Sequence, residues 1–392
     1  MTKKINWICI AAALMAMLIM LSACAGGPGG KGSGANPILI GHEVSLTGSA
    51  ALWGESESNA LDMEIERINA AGGVLGRPLK VIRYDNKADQ TEAVNVANRL
   101  IGDKVVAIVG PAQSGTTIAA TSVTEPAKIV MVATSATNTK VTVDEDGKLH
   151  PYNFRTAFID PYQGKVAARF ALDDLKATKA AILRDIGSDY SQGLSEIFKD
   201  NFTAGGGQIV SDEAFRSEEL DYRAQLGKIK ESGAELVFMP TAQKEGGLAM
   251  KQARELGLEC SFLGTDNWAS IELVELGGAA TEGCFFVNIA SQEDPVLKDW
   301  VTEYKEKWKK DPVMPNPVLA VDAIRMIVAA IEATQSTDGT KMAEYMSTMK
   351  GVPVLTGILN VDPETHNPLG KPAVIETVKD GKFVFYKGIP SA

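Results

Sequence analysis

Residues 105 to 121 read VVAIVGPAQSGTTIAAT, an apolar run followed by a glycine-bounded loop and a segment of helical character. A strand that feeds a loop and then a helix is the repeating unit of α/β folds, so this stretch bears on the architecture of the whole chain. Gly110 to Thr117 spell G-x-x-x-x-G-T-T, close to a phosphate-binding loop, but Thr116 stands where that motif needs a lysine to reach the β and γ phosphates. What remains is a helix N-terminus with free backbone N–H groups, flanked by Ser114, Thr116 and Thr117. Such a terminus suits a smaller anion, for example a carboxylate.

The same alternation extends in both directions. Short apolar runs near Ile38 to Val44, Leu79 to Tyr84, Val105 to Val109 and Ile129 to Ala133 alternate with helical segments, which predicts a parallel sheet. In the first helix Leu61, Ile65 and Ile68 recur at spacings of four and three, and Gly72-Gly73 marks its stop. Gly76-Arg77-Pro78 then reads as a turn and Asp85 as a turn or cap residue.

A second series follows Asn153-Phe154-Arg155-Thr156. Its strands are expected at Ala180 to Leu183, Gln208 to Val210, Leu236 to Met239, Ser261 to Leu263 and Cys284 to Val287, with a helix at Tyr222 to Glu231. Long helices come next, at Pro295 to Lys309 and Pro317 to Ala333, and a paired-strand tail spans Ala373 to Tyr386 with its turn at Asp380-Gly381. A chain that builds one lobe, then a second, and returns to the first needs several crossovers, and two lobes joined in that way can hinge about a cleft.

The ends and the composition bound the compartment and the chemistry. MTKK supplies a positive start, Ile5 to Leu21 is almost wholly apolar, and Leu21-Ser22-Ala23-Cys24 follows, which together read as a signal peptide over residues 1–23. The apolar run is short for a membrane span. Residues 24–36 are glycine-rich and read as a flexible tether. The 356 residues that follow exceed one average domain.

Removal of Lys3 and Lys4 with the signal leaves 37 basic against 49 acidic residues, a balance that disfavours nucleic acid. Cys260 and Cys284 are either a disulfide or two free thiols. His42, His150 and His366 fall outside any metal-ligand spacing, so neither a metal nor another cofactor is expected.

The segment INAAGGVLGRPLKVIRYDNKADQTEAVNVANRLI at 68 to 101, the AIVGPAQSGTT that follows at 107, SLTGSAALWG at 45 to 54, DYSQG at 189 to 193 and AMKQARELGL at 249 to 258 together carry a resemblance. From Pro37 to its end the chain resembles the leucine/isoleucine/valine-binding proteins, amino-acid receptors of ABC importers. That resemblance implies the type I periplasmic binding-protein fold, an α/β fold of two Rossmann-like lobes with parallel central sheets joined by a multi-strand hinge. It places residues 37–157 and 289–372 in one lobe and 158–288 and 373–392 in the other. It also implies a monomer that captures an amino acid, hands it to an ABC permease and carries out no catalysis. Leu21 to Cys24 resembles a lipobox, which implies acylation of Cys24 and tethering to the outside of the membrane.

Ligands of open α/β sheets sit beyond the carboxyl ends of the strands. That rule selects the loops Leu46 to Gly54, Gln113 to Thr117 and Thr134 to Asn138 from the first lobe, and Asp185 to Tyr190, Pro240 to Gln243 and Thr265 to Trp268 from the second. The loops at Gln113 to Thr117 and Thr134 to Asn138 hold hydroxyls and no acid, so a carboxylate is expected on Ser114, Ser135 and Thr137, with Gln113 and main-chain help around Ala112 and Ala136. Those hydroxyls can also serve as helix caps.

The resemblance puts Asp266 on the α-ammonium, with Asp185 as a second candidate, and sets Trp53 and Tyr190 against the ligand. One departure stands out. Ala242 occupies a position where leucine-binding relatives carry tyrosine, which enlarges the cleft and leaves side-chain specificity open. Three other readings have distinct signatures. A receptor for amides, urea or aromatic acids need not satisfy an ammonium, an exported amide hydrolase would turn its ligand over, and a sensory module would need another chain to signal.

Overall fold

The computed structural model describes residues 36–390; the expected signal peptide, the expected lipidation site Cys24 and nearly all of the expected tether lie outside them. Two sheets organise the chain. Their central strands are continuous apolar runs, as expected for parallel strands covered by helices on both faces.

The first sheet has the order β2-β1-β3-β4-β5, where β1 is Ile38–Val44, β2 Leu79–Asp85, β3 Ala107–Val109, β4 Val130–Ala133 and β5 Asn153–Arg155. Every pairing in it is parallel. The second has the order β14-β13-β10-β9-β8-β6-β7, built from β6 (Lys179–Asp185), β7 (Gln208–Phe215), β8 (Leu236–Phe238), β9 (Ser261–Gly264), β10 (Phe285–Asn288), β13 (Ala373–Lys379) and β14 (Lys382–Ile389). Its first five strands in sequence pair in parallel, and the closing hairpin adds two antiparallel strands at the β10 edge.

Strand order fixes where loops can form a crevice. In the first sheet β1 lies between β2 and β3, so the chain winds away in opposite directions from the β1/β3 boundary. In the second, β6 lies between β7 and β8 and creates the same reversal. The loops that follow β1, β3, β6 and β8 are therefore left uncovered by crossovers, which is where such folds hold ligands.

The expected strands appear, with shifted ends. The β1 bounds coincide with the expected ones, whereas β3 begins at Ala107 and not at Val105. β7 runs on to Phe215 because Ser211, Asp212 and Glu213 continue the pairing with β6 at an exposed sheet edge. The helix Gly339–Ser347 and the small hairpin Val352–Val354 with Gly357–Leu359 were not anticipated. Trp53, expected in a loop, lies on the helix Ala51–Ala70.

The helix Asn316–Thr334 returns to the first sheet, where Ile324, Ile327 and Ile331 join Ile38, Ile40, Val109 and Val132 in one core. It also meets the helix Ala51–Ala70 through polar contacts. Arg325 Nε donates to Glu64 Oε1 at 2.8 Å, and Asn316 Nδ2 donates to Glu57 Oε2 at 3.2 Å. Phe198 stacks on Phe238 with ring centroids 4.0 Å apart, anchoring a second core beneath the other sheet.

Gly110 has φ +88°, and a Cβ there would collide with the Glu43 carbonyl, so only glycine lets the chain leave β3 so close to β1. Among the described residues no helix is long and apolar enough to cross a membrane. Cys260 and Cys284 are free thiols, pushed up to about 11 and about 12 chiefly by burial.

Candidate ligand-binding site

A cavity of about 240 Å³ lies between the loops that follow the two sheets. Of the sequence-predicted residues Trp53, Ala112, Gln113, Ser114, Ser135, Tyr190 and Ala242 border it. Ala136, Thr137 and Asp266 do not. All three are nearly fully buried, and Asp266 lies behind Tyr190, which borders the cavity and hydrogen-bonds to it.

The first wall is neutral. Ser114 opens the helix Ser114–Thr124, and the Gln113 side chain makes no capping hydrogen bond, which leaves the first-turn N–H groups without a side-chain cap. Thr116 and Thr117, flagged by the loop motif, both donate their hydroxyls back to the Gln113 carbonyl, at 2.9 and 2.8 Å. Their protons are therefore engaged within the helix. The Ser114 hydroxyl accepts from the Asn138 N–H at 3.2 Å and keeps its own proton for another acceptor. Ser135 differs, because its hydroxyl donates to the Ala112 carbonyl at 3.2 Å. Trp53, 6 % exposed, joins Ala50 in an apolar cluster with Leu183, Met239 and Trp268 from the opposite side.

The second wall is acidic, with Asp185, Asp189, Glu218 and Glu245 bordering the cavity and Asp266 buried behind it. Asp266 heads the short turn Asp266–Trp268 after β9, and its Oδ1 accepts from the Tyr190 hydroxyl at 2.7 Å and from Gln163 Nε2 at 2.8 Å. Burial raises its pKa, against the opposing effect of those hydrogen bonds. Burial and the neighbouring Asp266 charge push the Tyr190 phenol well up, so it stays a donor.

The sequence reading missed Asp160. This residue begins the helix Asp160–Asp173, is 2 % exposed and, like Asp266, does not border the cavity; neither carboxylate oxygen meets full hydrogen-bond geometry, although the Thr137 hydroxyl lies close enough to act on it. Burial, with a smaller contribution from the Asp266 charge, lifts it to about 7; the Thr137 hydroxyl and Arg155 act in the other direction. Around it the buried Thr137 Oγ1, Gln163 Oε1 and Thr265 Oγ1 also lack partners among the described residues. Buried polar atoms are nearly always satisfied, so such a cluster is the mark of a place built for a polar group.

Arg155, fully buried, does not complete an ion pair there. It donates to the Ala136 carbonyl at 2.9 Å and the Asn138 carbonyl at 2.8 Å, which fixes the 136–138 loop, and burial lowers its pKa to about 9. Asp185, the second ammonium candidate, borders the cavity but accepts from the Gly187 N–H at 2.7 Å and the Ser217 hydroxyl at 2.5 Å, a turn-holding role.

The two walls touch at the rim: Asn138 Nδ2 donates to the Asp189 carbonyl at 2.9 Å, and Gln90 Nε2 donates to Asp189 Oδ2 at 3.2 Å. Residues 37–382 match the family model described as periplasmic binding protein. The chain belongs to this family. Among curated members it is 30% identical over 313 residues to the leucine-, isoleucine-, valine-, threonine- and alanine-binding protein of Pseudomonas aeruginosa, covering 80% of this chain and 82% of that one. A solved leucine-binding protein of Thermotoga maritima superposes with a TM-score of 0.83 at 32% identity, covering 90% of this chain and 98% of the other. A solute-binding protein of an ABC transporter from Rhodopseudomonas palustris, solved in complex with 3,4-dihydroxybenzoic acid, superposes with a TM-score of 0.79 at 25% identity, covering 91% of this chain and 98% of the other. The type I periplasmic binding-protein fold expected from the sequence is thus the fold observed.

Proposed function

We propose that the protein is the extracytoplasmic substrate-binding receptor of an ABC importer. It captures an α-amino acid between two lobes, residues 37–157 with 289–372 and 158–288 with 373–392, and delivers it to the membrane permease without chemical turnover. Cys24 is the lipid attachment that keeps the otherwise monomeric receptor at the membrane. The leucine-binding relatives support the amino-acid class.

One observation carries the reading: the walls have opposite polarity. Ser114 and the uncapped first turn of its helix offer protons to a carboxylate, and the carboxyl residues that border the other wall, with the buried Asp160–Asp266 pair behind Tyr190, set a negative field for an ammonium. A zwitterion satisfies both only when the walls meet, so its differential contacts favour the closed state. Asp266 is held by Tyr190 and Gln163, and Asp160 is the acid with unoccupied lone pairs. In this reading the ammonium role expected of Asp266, with Asp185 as second candidate, falls to Asp266 and Asp160 together, with Thr137 beside Asp160.

Calorimetric titration of the signal-free protein with amino acids and with benzoate tests this. Amino-acid binding that Asp160→Asn abolishes is the expected result. A second reading, a receptor for an aromatic acid, is favoured by the Tyr190–Asp266 bond, which satisfies that carboxylate without any ammonium, and by the relative that holds a dihydroxybenzoic acid. Tight benzoate binding indifferent to Asp160→Asn would select it.

A further inference from the structure

One end of the cavity is bordered by three carboxyl residues, Glu245 with Asp185 and Glu218, whose charges act on it; Asp189 borders the cavity elsewhere, beside Gln90 and the first turn of the Ser114 helix. No lysine, arginine or histidine among the described residues borders it. Two of the three are engaged nearby. Asp185 holds its turn through Gly187 and Ser217, and Glu218 lies 3.6 Å from the ammonium of Lys244, a residue that does not border the cavity.

Glu245 is different. It is 6 % exposed, and its Oε2 has no partner among the described residues. It sits at the third position of the helix Gln243–Glu255, where a glutamate ordinarily reaches back to the backbone N–H of the capping residue. The donor found beside it is its own N–H, and burial raises its pKa. Ala242, the capping residue, has a side chain too short to screen Glu245 from the cavity that both border.

We propose that this end of the cleft binds a cationic amino-acid side chain, an ammonium or guanidinium group paired with Glu245 in the field of Asp185 and Glu218. The inference rests on the amino-acid reading and specifies which amino acids. An aliphatic branch placed there would leave a buried carboxylate desolvated and unpaired, a heavy cost. An acidic side chain would meet the like charges of Asp185 and Glu218 beside Glu245, and a neutral amide could satisfy Glu245 Oε2 but not offset the surrounding charge. A cation does both, through charge-assisted hydrogen bonds.

The test is calorimetric titration of the signal-free protein with L-arginine, L-lysine, L-leucine, L-isoleucine and benzoate. Arginine or lysine is expected to bind at least about tenfold tighter than leucine, and Glu245→Gln to cut that ratio by about tenfold, consistent with loss of one charge-assisted hydrogen bond. Circular dichroism of the variant checks its fold. Ala242→Tyr, which fills the same end at a partly exposed position, gives a second reading and should also erode the ratio. Leucine or isoleucine binding as tightly as both cationic amino acids overturns the inference, as does a ratio unchanged in a folded Glu245→Gln protein. If leucine wins and still requires Asp160, the receptor reading stands and only this specificity falls. Benzoate binding with no amino-acid binding removes both.

Discussion

The two walls of the cleft come from sheets of the same design, yet they solve opposite problems. The wall after β1, β3 and β4 presents Ser114 and backbone N–H groups and lends the cavity no charged side chain of its own, with Asp189 of the other wall close to Gly115, whereas the wall after β6 and β8 presents carboxylates. A neutral wall of donors holds an anion without the desolvation penalty of a buried cation, and aligned peptide dipoles help it. The acidic wall is costly to bury, and that cost shows as raised carboxyl pKa values at Asp160, Asp266 and Glu245. The difference teaches that the second wall is the one whose charge state the ligand must change.

The comparison breaks most decisively at Asp160. Asp160→Asn removes the unpaired buried carboxylate and should weaken amino-acid binding by more than about 100-fold, the loss typical of one partner in a buried charge pair, as read by calorimetry. A substitution on the neutral wall should cost less. Ser114→Ala removes one hydrogen bond to a charged group and is expected to weaken binding by about 10- to 100-fold while leaving its pH dependence in place.

The pH dependence sharpens the contrast further. With Asp160 at about 7 in the ligand-free protein, an ammonium that needs it ionised must displace a proton at lower pH. Affinity should therefore fall by up to about tenfold per pH unit below 7, and proton release should be measurable in buffers of different ionisation enthalpy. A wall of neutral donors alone gives no such slope.

The smallest effect is on stability. Asp160 and Glu376 at about 7 and Glu43 at about 8 all sit above the unfolded carboxyl range, chiefly because of burial. Their contribution is fully present below about pH 4 and is lost as pH rises through those folded values. His42 and His366 are lowered by burial and act only below their ordinary value of 6.5. Between about pH 6.5 and 8 the carboxyls act alone, so the ligand-free protein should lose stability as pH rises, by at most about 1.4 kcal/mol per group per unit. Thermal unfolding of Asp160→Asn should show a shallower decline.

Much of the architecture was legible because parallel strands buried on both faces are written as unbroken apolar runs such as Ile38 to Val44. The polar half of β7 and the three-residue hairpin strands carry no such run, since their pairing depends on neighbours distant in sequence. The site was legible as a set of loops but not as a set of roles. Thr116 and Thr117 look like ligand donors until their helix turns them onto the Gln113 carbonyl.

Asp160 reads as an ordinary acid at a helix start ahead of Pro161, and Glu245 as an ordinary third-position glutamate. Only burial without a partner separates them from the many residues that share that pattern, and burial is a property of the packed chain.

The most direct test compares, by calorimetry, the amino acid that binds tightest with its analogue lacking the α-amino group. An acidic wall built for an ammonium predicts a loss of at least about 100-fold for the des-amino analogue, abolished in Asp160→Asn, where both ligands bind equally weakly. Equal affinity of the two ligands for the unaltered protein would contradict the account.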